Sequence, residues 1–230
     1  MKQTRRLAVL VGSLAWSLSA GNSPAAGGKI SLETLRQLTP QLQDGDLIFI
    51  RMGNPVFRQV ANTTRSWETH VGILFSRPDG TWQVAESRFP FSTFTSLNRF
   101  VARSERGRFL ITRSQEELDP AEKVRLRQAA RERMGKLYDL GFNYDSRLLY
   151  CSKFVFDVYR EATGRQVGKL TTFRQLLADN PQAPLGFWRA WFFGFIPWER
   201  RCVTTTSELK SPEFIHIYDS TISRLASHGS

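Results

Sequence analysis

The segment from Thr69 to Glu86 constrains the fold more than any other part of the chain. Thr69-His-Val-Gly-Ile-Leu-Phe75 is a short apolar run with strand character. Arg77-Pro78-Asp79-Gly80 is a tight-turn signature, and Thr81 to Glu86 reads as the returning strand. Strands joined by so short a turn pair antiparallel. With Phe75 opposite Thr81, His70 faces Glu86 directly. Both side chains then project from one face, because side chains alternate along a strand. A slip of one residue would carry Glu86 to the other face.

The remaining segments supply partners for this hairpin. Ser31 is a candidate cap for a short helix bearing Leu32, Leu35 and Leu38. Asp44-Gly45-Asp46 is a turn, and Leu47 to Ile50 and Arg108 to Thr112 are short strands. Asp119-Pro120-Ala121-Glu122 opens a helix that runs to about Met134 and stops at Gly135. A second helix begins at Tyr150 or Cys151, carries Phe154, Val155, Val158 and Tyr159 at helical spacing, and ends at Gly164. Thr171 to Ala178 reads as a short helix. The expected class is α+β, with helices on a mostly antiparallel sheet in a single domain over residues 27–230.

The first 26 residues differ in kind. Lys2, Arg5 and Arg6 precede an apolar run from Leu7 to Leu18 and a small-residue exit compatible with a cut after Ala20 or Ala25. This is a signal-peptide pattern, so export to the periplasm or the cell exterior is expected. No run reaches the roughly 18 apolar residues of a spanning helix. The chain carries a net charge of +11. Charge of this sign suits anionic lipid or cell-wall polymer. It occurs here without a nucleic-acid motif, so a nucleic-acid partner is not expected.

Few residues can carry chemistry. Three histidines, His70, His216 and His228, and two cysteines, Cys151 and Cys202, are present without metal-ligand spacing. No nucleophile elbow, P-loop or dinucleotide fingerprint occurs, and no cofactor or metal is expected. Cys151 sits where a helix starts, a position whose free N–H groups stabilise a thiolate and an oxyanion. A buried structural cysteine, or a disulfide to Cys202, is the other reading of that position. His70 beside a carboxylate on Glu86 would be held in one tautomer and made more basic, and the pair would favour an imidazolium.

Five motifs in order are Gly45-Asp46-Leu-Ile, Thr69-His70-Val-Gly-Ile, Val84-Ala-Glu86-Ser, Gly135-Lys-Leu-Tyr138-Asp and Tyr150-Cys151-Ser152 before an apolar helix. Together, over roughly residues 43–170, they resemble the permuted papain-like cysteine hydrolases of the NlpC superfamily, closest to the YiiX/YebB-like branch. The His motif precedes the Cys motif, as in the permuted group. The resemblance implies a permuted papain-like fold with Cys151 as nucleophile, His70 as base, Glu86 as orienting residue and Tyr138 at the oxyanion site. Lys153 stands where the family often has an acid, which would put a cation near the pocket.

The resemblance implies a cysteine amidase or peptidase acting on cell-wall peptides, such as peptidoglycan fragments, or related amides. A lipid-directed thiol acyltransferase or lipase-like enzyme is the alternative, and a non-catalytic periplasmic binding protein with a Cys151–Cys202 disulfide is the third reading. An aromatic-rich extension at about 180–205 bears on this choice. Phe187, Trp188, Trp191, Phe192, Phe193, Phe195 and Trp198 crowd together among arginines. From Phe187 to Trp198 this suits membrane-surface contact. A lid or core flap over the active site is the other reading.

Overall fold

The computed structural model describes residues 32–221; the expected signal segment, the Ser31 cap and His228 lie outside them. Helix α1 (Leu32–Leu38) and a single 3-10 turn lead into β1 (Leu47–Met52). Helix α2 (Pro55–Thr64) follows, then β2 (His70–Ser76), β3 (Trp82–Ser87), β4 (Ser92–Ser96), α3 (Leu97–Ala102) and β5 (Ser104–Ser114). Helices α4 (Pro120–Glu132) and α5 (Cys151–Thr163) come next. The C-terminal part holds β6 (Thr171–Thr172), α6 (Phe173–Ala178), α7 (Leu185–Trp191), β7 (Arg201–Cys202), α8 (Thr205–Leu209) and β8 (Phe214–Asp219).

Six strands form one sheet in the order β4-β3-β2-β1-β5-β8, and every neighbouring pair is antiparallel. This is the expected α+β arrangement. Period-two alternation divides the sheet into two buried faces. Phe49, Val71, Ile73, Phe75 and Ala85 pack on Leu126, Phe154, Val155 and Val158 of α4 and α5. Ile48, Ile50, Leu74, Val84 and Ile111 pack on Leu97, Phe100 and Val101 of α3 and on Leu35 and Leu38 of α1. Cover on both faces explains why Leu47 to Ile50 is apolar without interruption, although it pairs antiparallel. Among the described residues, no helix is long and apolar enough to cross a membrane.

The helix signals act as written. Asp119 accepts a hydrogen bond from the Glu122 N–H at 2.7 Å while the Glu122 carboxylate accepts from the Asp119 N–H at 3.0 Å. This reciprocal cap satisfies two donors that an uncapped α4 would leave bare. Gly164 ends α5 with φ 73°, in the left-handed region.

The hairpin register departs from the expected one. Phe75 pairs with Gln83 and Ser76 with Trp82, because the loop spans Arg77 to Thr81 and is closed by an Arg77 N–H to Thr81 O bond of 2.8 Å. The register is therefore displaced by two residues. Glu86 lies diagonal to His70 rather than directly opposite, and an even displacement keeps both on one face.

Gly72, in the centre of the His-Val-Gly-Ile motif, is required by close approach rather than by its backbone angles. A Cβ there would fall 2.3 Å from Val84 Cγ1 and 2.9 Å from the Ala85 carbonyl oxygen. Gly72→Ala should force β3 away from β2 and destabilise the fold by about 1–3 kcal/mol in chemical denaturation, the usual cost of overpacking. A stability equal to wild type would mean that the two strands are not held this tightly.

Candidate active site

Cys151 is the first residue of α5, after an extended Tyr150 at φ −121° and ψ 167°. Two stretches of chain bring it to the sheet. The Tyr138 N–H donates to Pro90 O at 2.9 Å, and the Asp139 N–H donates to Leu149 O at 2.8 Å. Leu137 to Asp139 is thereby laced between the β3–β4 turn and the segment entering α5, and Tyr138 lies beside Cys151. The backbone N–H groups of Ser152 and Val71 and the Tyr138 hydroxyl all face the sulfur. Tyr138 Oη forms no complete hydrogen bond with it or with any other group.

His70 begins β2, one residue before Val71. Its ring stacks on Phe100 of α3, with centroids 5.5 Å apart, and is fully buried. Nε2 lies 2.5 Å from Glu86 Oε2, the contact expected from the hairpin. Glu86 is buried too, and accepts from Thr95 Oγ1 at 2.6 Å and from Arg103 Nη2 at 2.7 and 2.8 Å. Burial opposes ionisation of Glu86. The hydrogen bond from His70 and the charge of Arg103 outweigh burial and bring its pKa down to about 2. An ionised Glu86 can only accept, so Nε2 carries the proton. In the neutral ring Nδ1 is then a bare lone pair, and it is buried without a hydrogen-bond partner.

The charge balance differs from the expected ion pair. Burial pushes the Cys151 thiol up to about 12, and the neighbouring Glu208 adds to the effect. Burial also lowers the His70 pKa, more than the hydrogen bond from Glu86 restores it. The resting pair is therefore a neutral thiol and a neutral imidazole. Burial raises the Tyr138 hydroxyl well above its usual range, and the adjacent Cys151 raises it further. It stays a proton-bearing donor at any working pH.

The structure thus places Tyr138 beside Cys151 and Glu86 beside His70, and His70 stands one residue along β2 from the Val71 N–H that faces the sulfur. No hydrogen bond joins Nδ1 to the sulfur, which lies instead against the Val71 N–H. Cys151 and Cys202 are both free thiols, so no disulfide blocks the site. Lys153 is not a pocket cation: its ammonium donates to Leu148 O at 3.0 Å and to Ser146 O, pinning the loop ahead of Cys151. His216 sits exposed on β8, opposite Thr112, and takes no part.

Sequence reasoning missed Arg103, Thr95 and Glu208. Glu208 is fully buried, neither oxygen has a partner, and burial raises its pKa well above the carboxylate range. A charge on Glu208 would add to the burial that opposes a Cys151 thiolate. Nothing in local patterning marks these three, because each reaches the site from a separate element.

The aromatic segment divides in two. Trp188 is buried and its Nε1–H donates to Thr63 Oγ1 at 2.8 Å; with Phe173 it walls a narrow cavity of about 50 Å3 that Cys151 also lines. No charged side chain lines this cavity. Beyond α7 the chain turns outward, leaving Phe193 96% and Phe195 84% exposed.

Known proteins resemble this chain over most of its length. A family described as permuted papain-like amidase enzymes (YaeF/YiiX, C92 family) matches residues 41–218, which takes in the aromatic segment. The uncharacterized protein YiiX of Escherichia coli K12 is 29% identical over 142 residues, spanning 62% of this chain and 69% of the relative. A crystal structure described as the metalloprotein yiiX from Escherichia coli O157:H7 superposes with a TM-score of 0.72 at 26% identity, covering 78% of this chain and 98% of that one. Among the described residues here, no group of three or more His, Cys, Asp or Glu side chains could hold a metal ion. Glu86 is already occupied by Arg103 and Thr95, so the residues at His70 do not fit a metal.

If the resting thiol is neutral, alkylation should report it. The iodoacetamide rate of Cys151 should stay low at pH 7 and climb through pH 9 and beyond, since only the thiolate reacts. A plateau reached below pH 7 would restore the thiolate–imidazolium pair.

Proposed function

The chain belongs to the permuted papain-like amidase family, and on that premise we propose that it hydrolyses amides through a Cys151 acyl-enzyme, with an apolar acyl group held in the cavity beside the sulfur. The observation that carries this reading is the His70 ring. Its Nε2–H is committed to an ionised Glu86, and its Nδ1 lone pair is buried and unshared one residue from the N–H that faces the thiol.

Attack starts when the sulfur turns from the Val71 N–H toward Nδ1 and yields its proton there. The sulfur bonds to the substrate carbonyl carbon, and the carbonyl electron pair moves onto oxygen. The N–H groups at the start of α5 and the Tyr138 hydroxyl stabilise that oxyanion. The imidazolium, stabilised by Glu86, then protonates the leaving nitrogen as the C–N bond breaks, leaving a thioester. Water gives its proton to His70 and attacks the thioester. Collapse returns the proton to the sulfur and releases the acid. Glu86 is a positioning residue, since it acts only through His70.

The uncharged lining supports an apolar acyl group over a charged cell-wall peptide, the class implied by the motif resemblance to NlpC-type hydrolases. The N-terminal pattern supports action outside the cytoplasm. A second observation favours work at a lipid surface: Phe193 and Phe195 project from the turn after α7, next to Phe192, over which Arg200 lies at 5.0 Å. Inserting one such ring yields about 1.5–3 kcal/mol, and each nearby cation adds about 1 kcal/mol on anionic lipid.

Two measurements test these readings. Purified protein should release amine from neutral N-acyl amides, with turnover lost in Cys151→Ala, and should process peptidoglycan fragments at least about tenfold more slowly. Faster release from the fragments would remove the apolar assignment. Phe193→Ser with Phe195→Ser should weaken sedimentation with vesicles containing phosphatidylglycerol and leave turnover of a soluble amide unchanged. These rings are suited to the test because they are exposed, whereas Trp191 donates to Leu140 O at 2.9 Å and Phe192 stacks on Trp188 at 5.8 Å. Unchanged vesicle binding would rule out the docking role of the tip.

A further inference from the structure

The polar side chains that line the Cys151 cavity can be accounted for one by one. Thr63 Oγ1 donates to Gln59 O at 2.8 Å and accepts from Trp188. Thr64 Oγ1 donates to Val60 O at 3.1 Å, and Thr69 Oγ1 accepts from the Met52 N–H at 2.8 Å. Tyr150 Oη accepts from the Val203 N–H at 3.0 Å, and Ser152 Oγ donates to Val203 O at 2.8 Å. Thr204 Oγ1 accepts from the Ser207 N–H at 3.1 Å. Two residues of the lining carry a buried hydroxyl without any partner: Tyr138 Oη and Thr205 Oγ1.

An unpaired buried hydroxyl is costly, and native interiors leave few of them. Tyr138 faces the sulfur, where an oxyanion develops. Thr205 is 4% exposed, and the reaction as derived above gives its hydroxyl nothing to do. The same cavity is lined by Phe57, Phe142, Phe173, Leu176 and Trp188, none of which can take or give a hydrogen bond within it except the indole already committed to Thr63.

We propose that Thr205 is a specificity-determining residue of this pocket, and that the preferred acyl group is an apolar chain carrying one hydroxyl that exchanges a hydrogen bond with Thr205 Oγ1. This rests on the acyl-enzyme reading above. The apolar walls bind the hydrocarbon, and the single polar point selects where along it a hydroxyl sits. A pocket built to pair a substrate hydroxyl discriminates against the analogue that lacks it, because both polar groups otherwise stay unpaired. A plain chain would leave Thr205 as it is now. A hydroxyl at the wrong carbon would add a second unpaired group.

The test uses short-chain N-acyl p-nitroanilides that share one leaving group, either unsubstituted or bearing one hydroxyl at successive carbons. Wild type should prefer one hydroxylated isomer by about tenfold or more in kcat/KM over the plain chain. Thr205→Val, which keeps the shape, should abolish the preference by lowering turnover of that isomer while keeping or raising turnover of the plain chain. Thr205→Ser should retain the preference. The melting temperature of Thr205→Val should equal or exceed that of wild type, since an unpaired hydroxyl has been removed.

A wild-type enzyme indifferent to every hydroxyl position, or a Thr205→Val effect equal on all acyl groups, overturns the proposal while leaving the amidase reading intact. A marked fall in the melting temperature of Thr205→Val also overturns it, because the hydroxyl would then have an internal partner. Failure of wild type to turn over any anilide, or turnover that survives Cys151→Ala, overturns the parent reading instead.

Discussion

The buried hydrogen bond between His70 and Glu86 governs how the rest of the site is arranged. A carboxylate with no exposure to water costs several kcal/mol unless its charge is matched and its oxygens are satisfied. Three elements converge to do this. Beta strand β4 supplies Thr95, the C-terminal end of α3 supplies Arg103, and β2 supplies the imidazole. The same α3 stacks Phe100 on the His70 ring. Packing and charge thus fix the ring plane together, and the ionised Glu86 decides which nitrogen keeps the proton.

This arrangement has a consequence for how the enzyme is switched on. Burial holds the thiol protonated and the imidazole neutral, so the resting site is protected from stray oxidants and alkylating reagents. In the proposed mechanism, proton transfer becomes favourable only as negative charge leaves sulfur for the substrate oxygen, where backbone N–H groups and Tyr138 would receive it. The neutral, partnerless Glu208 belongs to the same balance, because its ionised form would further oppose a thiolate.

The sequence made the strands, the His70–Glu86 contact and the helix that starts at Cys151 legible because each is encoded locally. Alternation assigns faces, a Pro-Asp-Gly turn forces antiparallel pairing, and Asp119 with Glu122 marks a helix start. Register was less accessible. The loop closes through Arg77 and Thr81, two residues from the simplest pairing, and only an even displacement kept Glu86 at His70. Helix α2 carried a readable signal that went unused: Asn54 caps it by accepting from the Phe57 N–H at 3.0 Å, with Pro55 at the first turn. Arg103 and Thr95 matter through contacts between residues distant in sequence, which no periodicity reports. The aromatic segment reads as a membrane-surface contact or as a lid or core flap because composition cannot separate rings that share one short stretch. Trp188 turns inward to wall the cavity, and Phe193 turns outward after it.

Nitrogen NMR of His70 in the free protein tests the central claim most directly, since chemical shifts of Nδ1 and Nε2 report tautomer and charge. The account predicts a neutral ring at pH 7 with its proton on Nε2, and with protonation of Nδ1 only below the ordinary histidine pKa of about 6.5. A ring protonated on both nitrogens at pH 7, or a neutral ring with its proton on Nδ1, would contradict the role assigned to Glu86 and the base assigned to His70.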